Sequence, residues 1–377
     1  MLLKRVKAKN IKDSRSDWTI EVSVNGCKAS SPSGKSKGKY ETPSFRKSLN
    51  WNIKILNSLN FPNINISSFN DILKVESFLK RKFKLKNAKQ FGANTLFALE
   101  SAVLKALAKE KNIQLFQLFP KPKKIPVPVG NAIGGGLHSH NKNKPIFQEF
   151  LLIPKEKKFK DNIKVMDSIY QQLKKQVQTN EKNDEGAWQT PLNNEQVLKL
   201  LSQQKNIRVG IDAAASSFYN NKYYNYRNKQ LNTAAQVSYI HSLIKQYNLF
   251  YIEDPLQEED FQGFAKVMHS PKHLIVGDDL TATQISRLKK AIKTKSINAM
   301  IIKPNQNGSL IELKQIFDIC KKHKIKTILS HRSGETMDNA LADLAVGFGA
   351  DFIKCGIATK WREVKLKRLV EIEKSLK

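Results

Sequence analysis

Beyond residue 125, short apolar runs alternate with longer segments whose apolar residues recur every three to four positions. The runs are PVGNAIGG (128–135), FQEFLLIP (147–154), NIRVGIDAAA (206–215), LFYIEDP (249–255), LIVGDDL (274–280), AMIIKPN (299–305), KTILSHRS (326–333) and DFIKCG (351–356). Runs this short and this apolar read as buried strands. The segments between them, such as DNIKVMDSIYQQLKKQV, TAAQVSYIHSLIKQY and LIELKQIFDICKKH, carry helical spacing. Some eight strands alternating with helices predict an α/β fold, a closed parallel barrel of the (β/α)8 TIM-like type. The first two runs meet without a helical segment between them, and two such segments precede the third. The winding is therefore a modified one.

Before residue 120 the pattern differs. WTIEVSVNG (18–26) alternates like a strand, whereas FNDILKVESFLKRKF and NTLFALESAVLKALAKEK have helical periods, the second strongly amphipathic. SPSGKSKGKYETP (31–43) has no apolar period and reads as a loop. FPKPKKIPVPVG (119–130) carries four prolines and reads as a linker. Two domains follow, an N-terminal α+β domain over 1–124 and the barrel over 125–377.

The polar residues of the barrel share one register. Taken at the strand ends, they are Glu149, Asp212, Glu253, Asp278, Lys303, His331 with Arg332, and Lys354. Function in such barrels gathers at the C-terminal ends of the strands. An acid after a strand often caps the next helix instead, but Lys303 and Lys354 cap nothing. Asp212, Glu253 and Asp278 lie on consecutive strands, and three carboxylates without His or Cys suit a hard cation, most simply Mg²⁺. Lys303 on the next strand would lie beside that metal, which would push it toward the neutral form a general base needs. Arg332, Ser333 and Lys354 supply a basic half. The set suggests removal of a proton next to a carboxylate, with metal stabilising the charge that develops.

Composition changes this picture in one respect. The chain has 65 Lys and Arg against 33 Asp and Glu, a net charge of +32. Such an excess can signal nucleic-acid or anionic-surface binding. Here it is mostly lysine and spread along the chain, whereas base and phosphate recognition favours arginine forks. A lysine-rich surface with weak, non-specific attraction to polyanions at low salt is the expectation. No apolar stretch approaches the ~20 residues that span a bilayer, and the N-terminus has no signal-peptide pattern. The three scattered cysteines argue against a disulfide framework or zinc site and fit a reducing, cytoplasmic setting.

Taken in order, SHRSGET, VGDDLTAT, IIKPNQNGS, YIEDP, FQEFLLIP, NDEGAW, GIDAAAS and DFIKCG resemble the successive motifs of the enolase family. PSGKSKGKYET resembles its mobile active-site loop and KDSR (12–15) its N-terminal strand signature. The resemblance covers essentially the whole chain. It implies Mg²⁺-dependent, reversible dehydration of 2-phosphoglycerate to phosphoenolpyruvate, with two Mg²⁺ per site, in a cytoplasmic homo-oligomer. It makes Lys303 the base at C2 and Glu185 the acid for the C3 hydroxyl, with Glu149 beside it. Asp212, Glu253 and Asp278 would hold the first Mg²⁺, and Ser36 would bring the second together with the phosphate. Arg332 and Ser333 would take the phosphate, and Lys354, His331 and Gln148 would complete the pocket.

Some positions depart from the family pattern. The loop histidine could be His138, by the Gly-Gly-x-His pattern, or His140, by the distance back from Glu149. EGAW stands for the more usual Glu-Gly-Gly-Phe, Lys37 for Thr, and IATKWRE after KCG for an Arg-Ser-x-Arg run. GKS (34–36) also resembles the end of a P-loop, but Ala29 stands where that motif needs Gly. Two rival readings are a superfamily paralogue acting on another phosphorylated or carboxylate substrate, and a non-catalytic polyanion-binding protein. The first predicts loss of the phosphate donors and the second decay of the acid–base set; both sets are present.

Overall fold

The computed structural model describes residues 1–35, 38–120, 124–268 and 272–376. The chain opens with an antiparallel meander of β1 (Val6–Lys12), β2 (Trp18–Val24) and β3 (Cys27–Ser30). The Lys-Asp-Ser-Arg run makes the β1–β2 turn, where an Asp13 carboxylate oxygen accepts from the backbone N–H of Arg15 and Asp17 at 2.8 and 3.0 Å. The alternation read in β2 is real: Ile20, Val22 and Val24 are buried on one face. Helices α1 (Leu49–Ser58), α2 (Ile72–Phe83) and α3 (Ala93–Glu110) follow. Helix α3 departs from its amphipathic pattern, since Asn94, Thr95, Glu100 and Ser101 are buried with the apolar residues. The small sheet covers one side of it and the 304–307 segment of the barrel another.

The barrel follows with β4 (Val127–Gly134), β5 (Glu149–Pro154), α4 (Phe159–Gln176), β6 (Trp188–Gln189), α5 (Asn194–Ser202) and β7 (Ile207–Asp212). A small antiparallel excursion comes next: β8 (Tyr219–Asn220), β9 (Tyr223–Asn225) and β10 (Gln230–Leu231). Then come α6 (Thr233–Tyr247), β11 (Leu249–Glu253), α7 (Phe261–Val267), β12 (Leu274–Gly277) and α8 (Ile285–Thr294). The chain ends with β13 (Ala299–Ile302), α9 (Pro304–Asn307), α10 (Leu310–Lys322), β14 (Lys326–Ser330), α11 (Ala340–Phe348), β15 (Phe352–Lys354) and α12 (Lys360–Ser375).

Eight strands, β4, β5, β7 and β11 to β15, close into a barrel through the β15–β4 pairing, and β6 adds beside β4. The expected all-parallel order needs one correction: β5 runs antiparallel to both β4 and β7. No crossover helix separates β4 from β5, so the chain simply turns back on itself. Glu149 is consequently the first residue of its strand, not the last. It still sits at the mouth, because its register partner is Asp212 at the end of β7. Inside the barrel, Leu151, Ile153, Tyr251, Val276, Ile301 and Ile328 pack into one buried cluster. Each such burial contributes about 1.5–3 kcal/mol.

The N-terminal domain is stitched onto the barrel mouth. Ser33 and Gly334 exchange backbone hydrogen bonds of 2.8 and 2.9 Å, and Ser14 N donates to Glu335 O at 2.7 Å. Asn305 donates to both Asn94 Oδ1 and Pro32 O at 3.0 Å. The segment after β14 therefore touches both domains.

Candidate active site

The strand ends and the capping domain enclose a polar cavity of about 310 Å³, whose lining includes Gln148, Glu149, Glu185, Asp212, Asp278, Lys303, His331, Arg332, Ser333 and Lys354. Glu253 lies buried beneath it and is reached from it by Lys354. Ser36 lies outside the described residues, and its neighbour Lys35 donates its backbone N–H to Ser333 Oγ at 2.8 Å.

Lys354, the last residue of β15, is wholly enclosed by carboxylates. Its Nζ lies 2.9 Å from both oxygens of Glu253, 3.0 Å from Glu149 Oε2 and 3.2 Å from Asp212 Oδ2. Burial opposes its charge, but these three acids outweigh it and hold the ammonium well above its ordinary range. Burial, with Asp212 nearby, pushes Glu253 up to about 8. The acids read as one metal triad are thus divided. Asp212 and Glu253 share Lys354, whereas Asp278 pairs with Lys303 and sits beside Asp254 and Asp279. In a desolvated pocket each carboxylate takes the nearest ammonium. Burial lowers the affinity of Lys303 for its proton, yet Asp278 overrides it and raises the pKa.

The donor chemistry nevertheless fits a hard cation. Among the described residues, Asp254, Asp278 and Asp279 present oxygens all within 4.8 Å of one another, as do the ligand atoms of His138, Glu149 and Glu185. Asp278 Oδ1 is buried with no hydrogen-bond partner, a costly state for a carboxylate oxygen that a cation would relieve.

Glu185 and Glu149 form the acid pair. Glu185 lies on a tight turn before β6, where Asn183 Oδ1 accepts from the backbone N–H of Glu185 and Ala187 at 3.0 and 2.9 Å. The bulk added by Trp188 goes outward: its ring stacks on Tyr170 at 4.7 Å, and its indole N–H donates to Tyr170 O at 2.8 Å. Burial and the charge of Glu185 raise Glu149 well above the usual carboxylate range. Burial also disfavours charge on Glu185, but the His138 and His331 rings facing it and the Arg362 charge beyond outweigh it and hold its pKa low. The two carboxyls are thus pushed in opposite directions, Glu149 up and Glu185 down.

His138 is the loop histidine of the cavity, with Nδ1 3.9 Å from both Glu149 and Glu185. His140 instead has a side chain 68% exposed, within 4.0 Å of Asp184. Burial lowers the pKa of His138 and, more strongly, of His331.

Arg332 is held in a fork. Its Nη1 and Nη2 each donate to a Glu41 oxygen at 3.0 Å, and Nη1 also donates to Asn305 Oδ1 at 3.2 Å. Ser333 Oγ accepts from Arg15 Nη1 at 3.0 Å. Gln148 Nε2 reaches Asp212 Oδ2 at 3.5 Å. Sequence reasoning missed Arg15, Glu41, Asp254, Asp279, Arg362 and Lys365. The doubled acids in YIEDP and VGDDL were the available signal for two of them; the others come from the capping domain or the last helix.

The geometry is that of a (β/α)8-type barrel with a small capping domain and an acid–base site at the mouth. Residues 122–377 match the family described as Enolase, C-terminal TIM barrel domain, and residues 3–119 match Enolase, N-terminal domain. The chain is 35% identical to the Enolase of Sulfurisphaera tokodaii over 400 residues, covering 98% of this chain and 95% of that protein. It is 35% identical to the Enolase of Methanosphaera stadtmanae over 404 residues, covering 100% and 97%, and 34% identical to that of Archaeoglobus fulgidus over 396 residues, covering 99% and 97%. The chain belongs to the enolase family, whose members are phosphopyruvate hydratases, lyases that add or remove water.

Proposed function

We propose that this cavity carries out the reversible dehydration of 2-phosphoglycerate to phosphoenolpyruvate, with Lys303 as the base at C2 and the Glu149–Glu185 pair as the acid at C3. The observation that carries this reading is the opposition, four strands apart around the barrel, of Lys303 after β13 to Glu149 at the start of β5, with Glu185 beside Glu149. Removing a proton from one carbon face while protonating a hydroxyl on the next carbon needs two such groups, one on each side.

Asp212, Glu253 and Asp278 are the residues that would hold Mg²⁺, with Ser36 the candidate for a second ion. When bound, Mg²⁺ supplies positive charge for the substrate carboxylate as C2 loses its proton. Asp278 pairs with Lys303, and were Asp278 to hold Mg²⁺, Lys303 would lose that partner and could release its proton to serve as the base. The Glu149–Glu185 pair gives a proton to the departing hydroxyl, and His138 borders both acids. Arg332 and Ser333 bind the phosphate, Arg332 exchanging Glu41 for it. Lys354 and Gln148 turn to the substrate carboxylate.

The domain division near residue 124, a homo-oligomeric assembly and a cytoplasmic location belong to the same reading. No helix among the described residues is long and apolar enough to cross a membrane. Weak polyanion attraction rests on the charge of +32 alone. The test is direct: 2-phosphoglycerate added with Mg²⁺ should give rising phosphoenolpyruvate absorbance. No absorbance change at any Mg²⁺ concentration would overturn the reading.

A further inference from the structure

Arg362, in the first turn of α12, is completely buried, and the mechanism above leaves it unused. Its Nε–H donates to His331 Nδ1 at 2.9 Å. Its Nη2 donates to the carbonyl oxygens of Arg332 and Ser333 at 3.2 and 3.1 Å. Its Nη1 donates to Thr359 Oγ1 at 3.2 Å and reaches Asp184 O at 3.5 Å. Every one of these acceptors is neutral. The backbone makes room for the side chain at Gly356, where φ is +64° and a Cβ would stand 2.5 Å from Arg362 Cδ. One turn on, Lys365 pairs with Glu335 at 2.7 Å, and Glu335 accepts the backbone N–H of Arg332 at 3.1 Å. The last helix thus grips the phosphate segment at two points.

A guanidinium can only donate hydrogen bonds. The Nδ1 facing it must therefore offer a lone pair, which excludes an imidazolium and puts the ring proton on Nε2. That atom lies 3.9 Å from Glu185 Oε2. We propose that Arg362 is a positioning residue: it fixes His331 as the neutral Nε2–H tautomer aimed at Glu185, and so prepares the acid side of the site. A histidine's second nitrogen commonly sets which tautomer the working nitrogen presents. The inference rests on the proposed role of Glu185, but its first test does not.

That test is ¹⁵N-histidine NMR of the full protein, with His331→Gln used to identify the ring signals. His331 should show a protonated Nε2 and a lone-pair Nδ1. A protonated Nδ1, or a charged ring, overturns the inference whatever the activity. The second test is Arg362→Lys, with Arg362→Gln beside it. Loss of a partner that orients an active-site group typically costs about 10–100-fold. Dehydration by Arg362→Lys should fall by that factor with little change in KM, whereas exchange of the C2 proton with deuterated solvent should persist. If dehydration and exchange fall together, Arg362 acts on folding alone and the proposal fails. If Glu185→Gln loses C2 exchange as well as dehydration, the assignment of Glu185 fails, while the tautomer measured in the wild-type protein still stands.

Discussion

Lys354 Nζ lies 2.9 Å from both carboxylate oxygens of Glu253, so the last barrel strand neutralises an acid of the fourth across the mouth. An ammonium there shields acids that a divalent cation would otherwise have to bring together. A cation held by Asp212, Glu253 and Asp278, as proposed, would displace both lysines from their carboxylates. Chelation is expected to abolish turnover. Asp278→Asn should raise the Mg²⁺ concentration for half-maximal activity by more than the ~10–100-fold that losing an outer partner of a metal site costs. Full turnover in excess chelator would refute the metal assignment.

The base and the acid can be separated. Lys303→Ala should lose both dehydration and C2 proton exchange in deuterated solvent, by roughly 10²–10⁴-fold or more. Glu185→Gln should lose dehydration and retain exchange, because the base remains. Wild-type exchange in Lys303→Ala would require another base.

Glu100, in α3, lies at the junction between the two domains. One carboxylate oxygen accepts from Leu310 N at 2.7 Å, the other has no partner, and burial together with Glu76 raises its pKa well above 4.5. A folded pKa above the unfolded one adds stability that is fully present below about 4.5 and is lost as pH rises through the higher folded value. The wild-type melting temperature should therefore decline across that rise. Glu100→Gln, which keeps an acceptor for Leu310 N without the charge, should melt higher than wild type at pH 8 and show a weaker pH dependence. Equal melting profiles for the two proteins would show that Glu100 does not titrate this way.

Gly186 has φ +85°, and a Cβ there would stand 2.6 Å from Thr359 Cγ2 and 2.9 Å from Ala358 O. Gly186→Ala should cost about 1–3 kcal/mol in stability from the left-handed backbone alone, and should lower kcat by shifting Glu185. Chemical denaturation and the absorbance assay check the two effects separately.

Much of this protein was legible before any coordinates. A buried strand must be an apolar run, and a charged residue ending such a run has only the barrel mouth to occupy. That reasoning sufficed for the barrel and for placing Asp212, Glu253, Asp278, Lys303 and Lys354 at one face. It also sufficed for the missing helix between the first two strands. What it could not decide was anything set by partners distant in the chain. Period and polarity are the same for either strand direction, so the reversal of β5 was invisible, as was the placing of Glu149 at a strand's beginning. The choice of His138 over His140 turned on which ring the loop buries. Helix α3 looked half-solvated because its second cover comes from residues about 200 positions away. Local charge counting put Lys303 beside a metal triad and Lys354 facing it; only the folded pocket, where solvent is gone and each carboxylate takes the nearest ammonium, showed which acid each lysine holds. Arg362 lay within IATKWRE with nothing in the sequence to single it out, and tertiary packing alone turned it inward onto His331.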